Sequence, residues 1–159
     1  MFVRNLARVG ISASVMAAGV FGFGVAAQAA PSSFTAKAIH ANGAGALAAQ
    51  ATGGLAWYNR SATLTNVAFY VAANECGRFT VIGMQGSSYV DSYDYPSSTG
   101  CVRPGSTGRI YDLKNIALDG SDWSGGITDI FVYAVDVDHN VTGFAKCGRA
   151  ASNCVAGQY

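Results

Sequence analysis

One short stretch gathers two aspartates and one of the chain's two histidines within a few residues. "YAVDVDHNVTGF", residues 133–144, contains Asp136, Asp138, His139 and Asn140; the other of the two histidines is His40. Carboxylates beside an imidazole can hold a metal ion or move a proton, so the stretch is the first candidate site. Calcium asks for about six to eight oxygen ligands, and the EF-hand loop ends on a glutamate at its twelfth position. No glutamate follows here, because Glu75 is the only one in the chain. A partial calcium site remains open, with Asp136 and Asp138 as ligands and Asp119 and Asp122 of "LDGSDWSGG" as helpers. The plainer expectation is a turn between two strands, with no cofactor.

Three other constellations bear on chemistry. "DWSGG", residues 122–126, resembles the "GDSGG" around the nucleophile of chymotrypsin-like serine proteases, and His40 precedes it as a base would. That nucleophile needs a histidine oriented by a buried carboxylate. Trp123 stands where the aspartate should, and His40 lacks the "AAHC" context, so Ser124 reads as a connection residue. Glycoside hydrolysis needs two acids about 5–9 Å apart. Asp91 and Asp94 fall on opposite strand faces, and Asp112, Asp119, Asp122 and Asp129 are scattered, so no catalytic residue is assigned. Finally, Tyr89, Tyr93 and Tyr95 alternate on one predicted strand face with Asp91 among them. Such a face can stack on sugar rings, or can be ordinary core and rim.

The elements that must position these residues are strands. "SATLTNVAFYVAA" (61–73) puts Thr63, Thr65, Val67, Phe69 and Val71 on one face. "GRFTVIGMQG" (77–86), "SSYVDSYDYP" (87–96), "GITDIFVYAVDV" (126–137) and "NVTGFAKC" (140–147) follow, with "TGRIYDLKNIAL" (107–118) a weaker member. Gly, Ser, Asn and Asp mark each junction, and no segment of this part shows a helical period. The expectation is an all-β fold, an antiparallel β-sandwich of six to eight short strands over residues 57–159. Within it, a two-residue His139-Asn140 loop would pair Asp138 with Val141, Asp136 with Gly143 and Ala134 with Ala145. Asp136 and Asp138 would then share one face about 7 Å apart at the strand's end.

Upstream, residues 30–56 are rich in alanine and glycine and read as a poorly ordered arm or propeptide. Residues 1–29 have the form of a signal peptide: Arg4 and Arg8, an apolar run from Val9 to Val25, then Ala27-Gln28-Ala29. Export fits the cysteines. Cys76, Cys101, Cys147 and Cys154 are even in number and lack metal-ligand spacing, so two disulfides are expected. Cys76–Cys101 with Cys147–Cys154 closes the shortest loops and is the preferred pairing. Removing Arg4 and Arg8 leaves eight basic residues against nine acidic, a formal charge of −1. That excludes a counterion-release footprint for nucleic acid and a polybasic membrane patch.

"TLTNVAFYVAANECGRF" and "GGITDIFVYAVDVDHNVTGFAKC", behind an Ala/Gly-rich leader, resemble small secreted proteins of actinobacteria over roughly residues 57–155. The resemblance implies an extracellular disulfide-bonded β fold, carries no functional residue, and implies nothing catalytic. The sequence therefore reads as a secreted, monomeric, non-catalytic binding or interaction module. Its partner is an extracellular protein or glycan, not nucleic acid or membrane. The rivals are a small extracellular hydrolase and a protease inhibitor whose reactive loop, residues 94–109, would present Arg103 ahead of Pro104.

Overall fold

The structure, a computed structural model, describes residues 29–40, 45–97 and 100–159. The leader segment expected at residues 1–29 lies outside the described residues except for Ala29. Nine strands form two antiparallel sheets: β1 (Ser33–Ile39), β2 (Leu47–Trp57), β3 (Ala62–Val71), β4 (Gly77–Gln85), β5 (Ser88–Tyr95), β6 (Arg109–Leu118), β7 (Asp129–Asp136), β8 (Val141–Gly148) and β9 (Val155–Gln158). One sheet has the order β1-β2-β3-β6 and the other β5-β4-β7-β8-β9. The expected sandwich and both expected disulfides are present: Cys76–Cys101 and Cys147–Cys154. No helix among the described residues is long and apolar enough to cross a membrane.

The reading of residues 30–56 as a poorly ordered arm or propeptide is corrected by the structure where those residues are described. Ser33–Ile39 and Leu47–Trp57 are β1 and β2, half of the four-stranded sheet. Their alanines do not build a helix because they alternate: Phe34, Ala36 and Ala38 of β1, and Ala49 and Ala51 of β2, are buried against the other sheet. Small inward side chains let the backbones approach closely. A Cβ on Gly143 of β8 would lie 1.9 Å from the Lys37 carbonyl oxygen.

Two bulges change which residues face inward. Ala62 and Leu64 are buried at the start of β3, but after Asn66 (φ 50°) the buried set is Val67, Phe69 and Val71. One extra residue shifts a period-2 pattern onto the other parity. Thr63 and Thr65 therefore do not share the core face with Val67. The second irregularity lies between the Gly83–Asp91 and Met84–Tyr89 pairs, and leaves Val90 unpaired. Phe69 and Phe79 meet between the sheets, ring centroids 5.9 Å apart, and mark the centre of the core.

Candidate functional site

At the end of the sandwich where β7 stops, four side chains converge: His40, Glu75, Asp136 and His139. One ligand atom from each lies within 4.8 Å of all the others. Each arrives for a local reason. Phe34, Ala36 and Ala38 point inward from β1, and the same parity carries His40, the next residue in the series, to the inner side. Its position is held twice over: His40 N–H donates to the Ala46 carbonyl at 3.0 Å. The Gln158 side chain brackets Ile39, accepting from its N–H and donating to its carbonyl, both at 2.7 Å.

Asp136 follows Ile130, Val132 and Ala134 on the inward face of β7, and is the one charged side chain among the buried residues described. It is fully buried (0% exposed). An isolated carboxylate there would be costly, so its hydrogen-bond partners matter. Oδ2 accepts from His40 Nε2 and from His139 Nδ1, each at 2.8 Å. Oδ1 accepts the Asp138 N–H at 3.2 Å. Glu75 lies on the β3–β4 connection, with its oxygens 3.6 Å from His40 Nε2 and 3.3 Å from His139 Nδ1. The two imidazoles are tilted against each other, centroids 4.2 Å apart. The Asp136 hydrogen bond, helped by the charges of Asp136, Glu75 and Asp138, raises the His139 pKa above its ordinary value.

The expected hairpin is corrected here. Asp136 pairs with Val141, and Ala134 with Gly143, so the loop is the four residues 137–140 rather than His139-Asn140 alone. The strand ends at Asp136 because its carboxylate is turned inward and the chain wraps it: Val137 N–H goes to the Cys76 carbonyl at 2.8 Å, and Asn140 takes φ 53°. Asp138 therefore does not join Asp136 as a ligand. Its carboxylate takes a two-point ion pair from Arg103, at 2.6 and 2.8 Å, which lowers its pKa. Asp119 and Asp122 are in the β6–β7 connection at the opposite end of β7, and so do not help.

The remaining sequence candidates are not brought together. Ser124 also lies before β7, while His40 meets Asp136 at its last residue; β7 alone spans roughly 23 Å. No nucleophile–base pair forms between them. Arg103 is engaged by Asp138 and by the Asn74 carbonyl, which leaves the inhibitor reading without a free specificity side chain. Tyr89 is carried off the predicted tyrosine face by the bulge at Val90, and its hydroxyl meets Ser92 Oγ at 2.6 Å. Tyr93 and Tyr95 turn toward Phe79 and Tyr111, and Asp91 accepts from the Asp119 N–H at 2.8 Å. The aromatic platform does not assemble.

Sequence reasoning reached Asp136 but missed His40 and Glu75 as its companions. Two signals were present: the inward parity that ends at His40, and the fact that the chain's sole glutamate sits directly before a disulfide cysteine. Compared with known proteins, the chain matches no family model, no curated protein and no solved structure.

Proposed function

We propose that this protein is an exported, non-catalytic binding module whose ligand is a divalent transition-metal ion, held by His40, Glu75, Asp136 and His139. One observation carries the reading: two imidazole nitrogens and two carboxylates, one of them fully buried, converge within 4.8 Å. A tetrahedral zinc ion with bonds of about 2.0–2.1 Å sets its ligand atoms about 3.4 Å apart. The close pairs of the cluster, 2.8, 2.8, 3.3 and 3.6 Å, straddle that value, so small movements would admit an ion. Imidazole with carboxylate suits zinc, copper(II) or nickel(II), whereas calcium prefers an all-oxygen shell. The partial calcium site left open at Asp136 and Asp138 thus gives way, in this reading, to a transition-metal site that keeps Asp136 and takes different companions. All four cysteines are in disulfides, so thiolate plays no part.

Four protein donors fill a tetrahedron, as structural sites do, whereas catalytic zinc keeps a position for water. That favours binding over the hydrolase alternative. Export is supported by the leader-like first residues and by two disulfides, which persist in oxidising compartments.

Calorimetric titration of chelator-stripped protein with zinc should give one site per chain and no comparable calcium binding. His40→Gln and His139→Gln should each weaken zinc binding at least tenfold. At a zinc concentration a hundred times Kd, binding adds about 2.7 kcal/mol and should raise Tm by roughly 10 °C. Zinc, copper(II) and nickel(II) all failing to bind stoichiometrically would overturn the proposal.

A further inference from the structure

We infer that the Cys76–Cys101 disulfide is the positioning crosslink of this centre, so that the site is complete only in the oxidised chain; the inference rests on the metal-binding reading above. Among the four ligands, Glu75 has the least regular support. Asp136 ends a strand, His40 directly follows one, and His139 sits in a hairpin loop closed by the ladder of β7 and β8. Glu75 lies on the connection between β3 and β4, one residue before Cys76, and next to Asn74 at φ 62°.

The partners of that connection come largely from one other piece of chain, residues 101–105. Asn74 N–H donates to the Gly105 carbonyl at 3.0 Å, and Arg103 donates to the Asn74 carbonyl. Gly77 and Val102 exchange two backbone hydrogen bonds, at 2.9 and 2.8 Å. Residues 101–108 otherwise form no strand, and the disulfide is their covalent tie to the connection. The same segment reaches the other side of the centre, because Arg103 also holds Asp138, two residues after the buried ligand Asp136. One short stretch thus braces both carboxylate-bearing segments, and Cys101 anchors it.

Formation of this bond removes two electrons and two protons from the Cys76 and Cys101 thiols, taken up by a disulfide-exchange oxidant such as export compartments maintain. Before that step Glu75 has no covalent brace: its own N–H bonds the Ala72 carbonyl at 3.3 Å, the Cys76 carbonyl takes Val137 N–H, and β4 begins only at Gly77. A chain that is still reduced would therefore bind metal weakly, and loading would follow export and oxidation. The second disulfide provides the contrast. Cys147 pairs across the ladder with Ile130, six residues along β7 from Asp136, and its bond to Cys154 braces the far end of the sheet.

The test is zinc affinity by calorimetry on the full chain. Alanine replaces both cysteines of a pair, since freed thiolates would themselves bind zinc. Cys76→Ala/Cys101→Ala should weaken zinc binding about tenfold or more, while Cys147→Ala/Cys154→Ala stays within about threefold of wild type. If the crosslink acts through Glu75, Glu75→Gln should cost a similar factor, and the triple variant should be no weaker than Glu75→Gln alone. Unchanged affinity in Cys76→Ala/Cys101→Ala, equal losses in both cysteine pairs, or multiplying losses in the triple variant would each overturn the inference. Should Cys76→Ala/Cys101→Ala lack the wild-type circular dichroism spectrum, the near-isosteric Cys76→Ser/Cys101→Ser decides: it removes the same crosslink, and wild-type affinity in it overturns the inference. A wild-type chain that binds no zinc, copper(II) or nickel(II) removes the binding reading and this inference with it. An unaltered cysteine variant removes this inference alone.

Discussion

Asp136 sets the problem at the scale of single residues, because a buried charge is tolerated only when its surroundings answer it. Three donors do so here: two imidazoles and the Asp138 N–H. Removing the acceptor of buried hydrogen bonds, with the donors left partly exposed, typically costs about 1–3 kcal/mol. Asp136→Ala is expected to lose about that much stability in urea unfolding with chelator present. His139, which is half exposed, should cost less to truncate than Asp136. Asp138 gives a pH signature. Its pKa is lowered in the folded chain by Arg103. Its stabilising effect is therefore complete above the ordinary carboxylate value of about 3.9 and disappears as pH falls through the lower, folded value. Acid unfolding followed by fluorescence should show a shallower loss of stability over that range in Asp138→Asn than in wild type. The sequence marked Asp136 as the place to look for a metal and wrongly paired it with Asp138. The error was one of loop length: two more residues in the turn send Asp138 outward to Arg103.

At the scale of elements, the strands from β3 to β8 were legible because a pleated chain buries every second side chain, and alternation shows in the residues themselves. β1 and β2 were not, because their buried faces are mostly alanine, which carries little hydrophobic contrast and also favours helix. What makes them strands is the closeness of the opposite sheet. Gly143 tests that. Its missing Cβ makes room for the Lys37–Ala38 backbone. Gly143→Ala should destabilise by about 1–3 kcal/mol through overpacking, read as a lower urea midpoint. Because it pushes on the strand that His40 directly follows, it should also weaken zinc binding. The bulges at Asn66 and Val90 were equally invisible, since a bulge is a backbone conformation that the residue types do not announce, yet it reverses every later side chain of the strand.

At the scale of the whole molecule, apolar packing between the two sheets holds them together, with an aromatic contact at its centre. Phe69 is fully buried and meets Phe79 across the core. Phe69→Ala should cost about 3–5 kcal/mol in urea unfolding. The chain-entropy model assigns about 3.5 kcal/mol to Cys76–Cys101 and about 2.5 kcal/mol to Cys147–Cys154, since the first closes the longer loop. From local pattern alone came the all-β class, the order of most strands, the oxidised cysteines and their preferred pairing, because alternation and cysteine spacing are properties of neighbouring residues. The centre belongs to another category. His40 and Asp136 are 96 residues apart in the chain, and nothing local relates them. They meet because β1 crosses onto β7 and β8, and because the β3–β4 connection, tied down at Cys76, brings Glu75 over the same end. Which face of a strand is polar can be read along one segment; which segments share an end of the sandwich is decided only when the sheets pack.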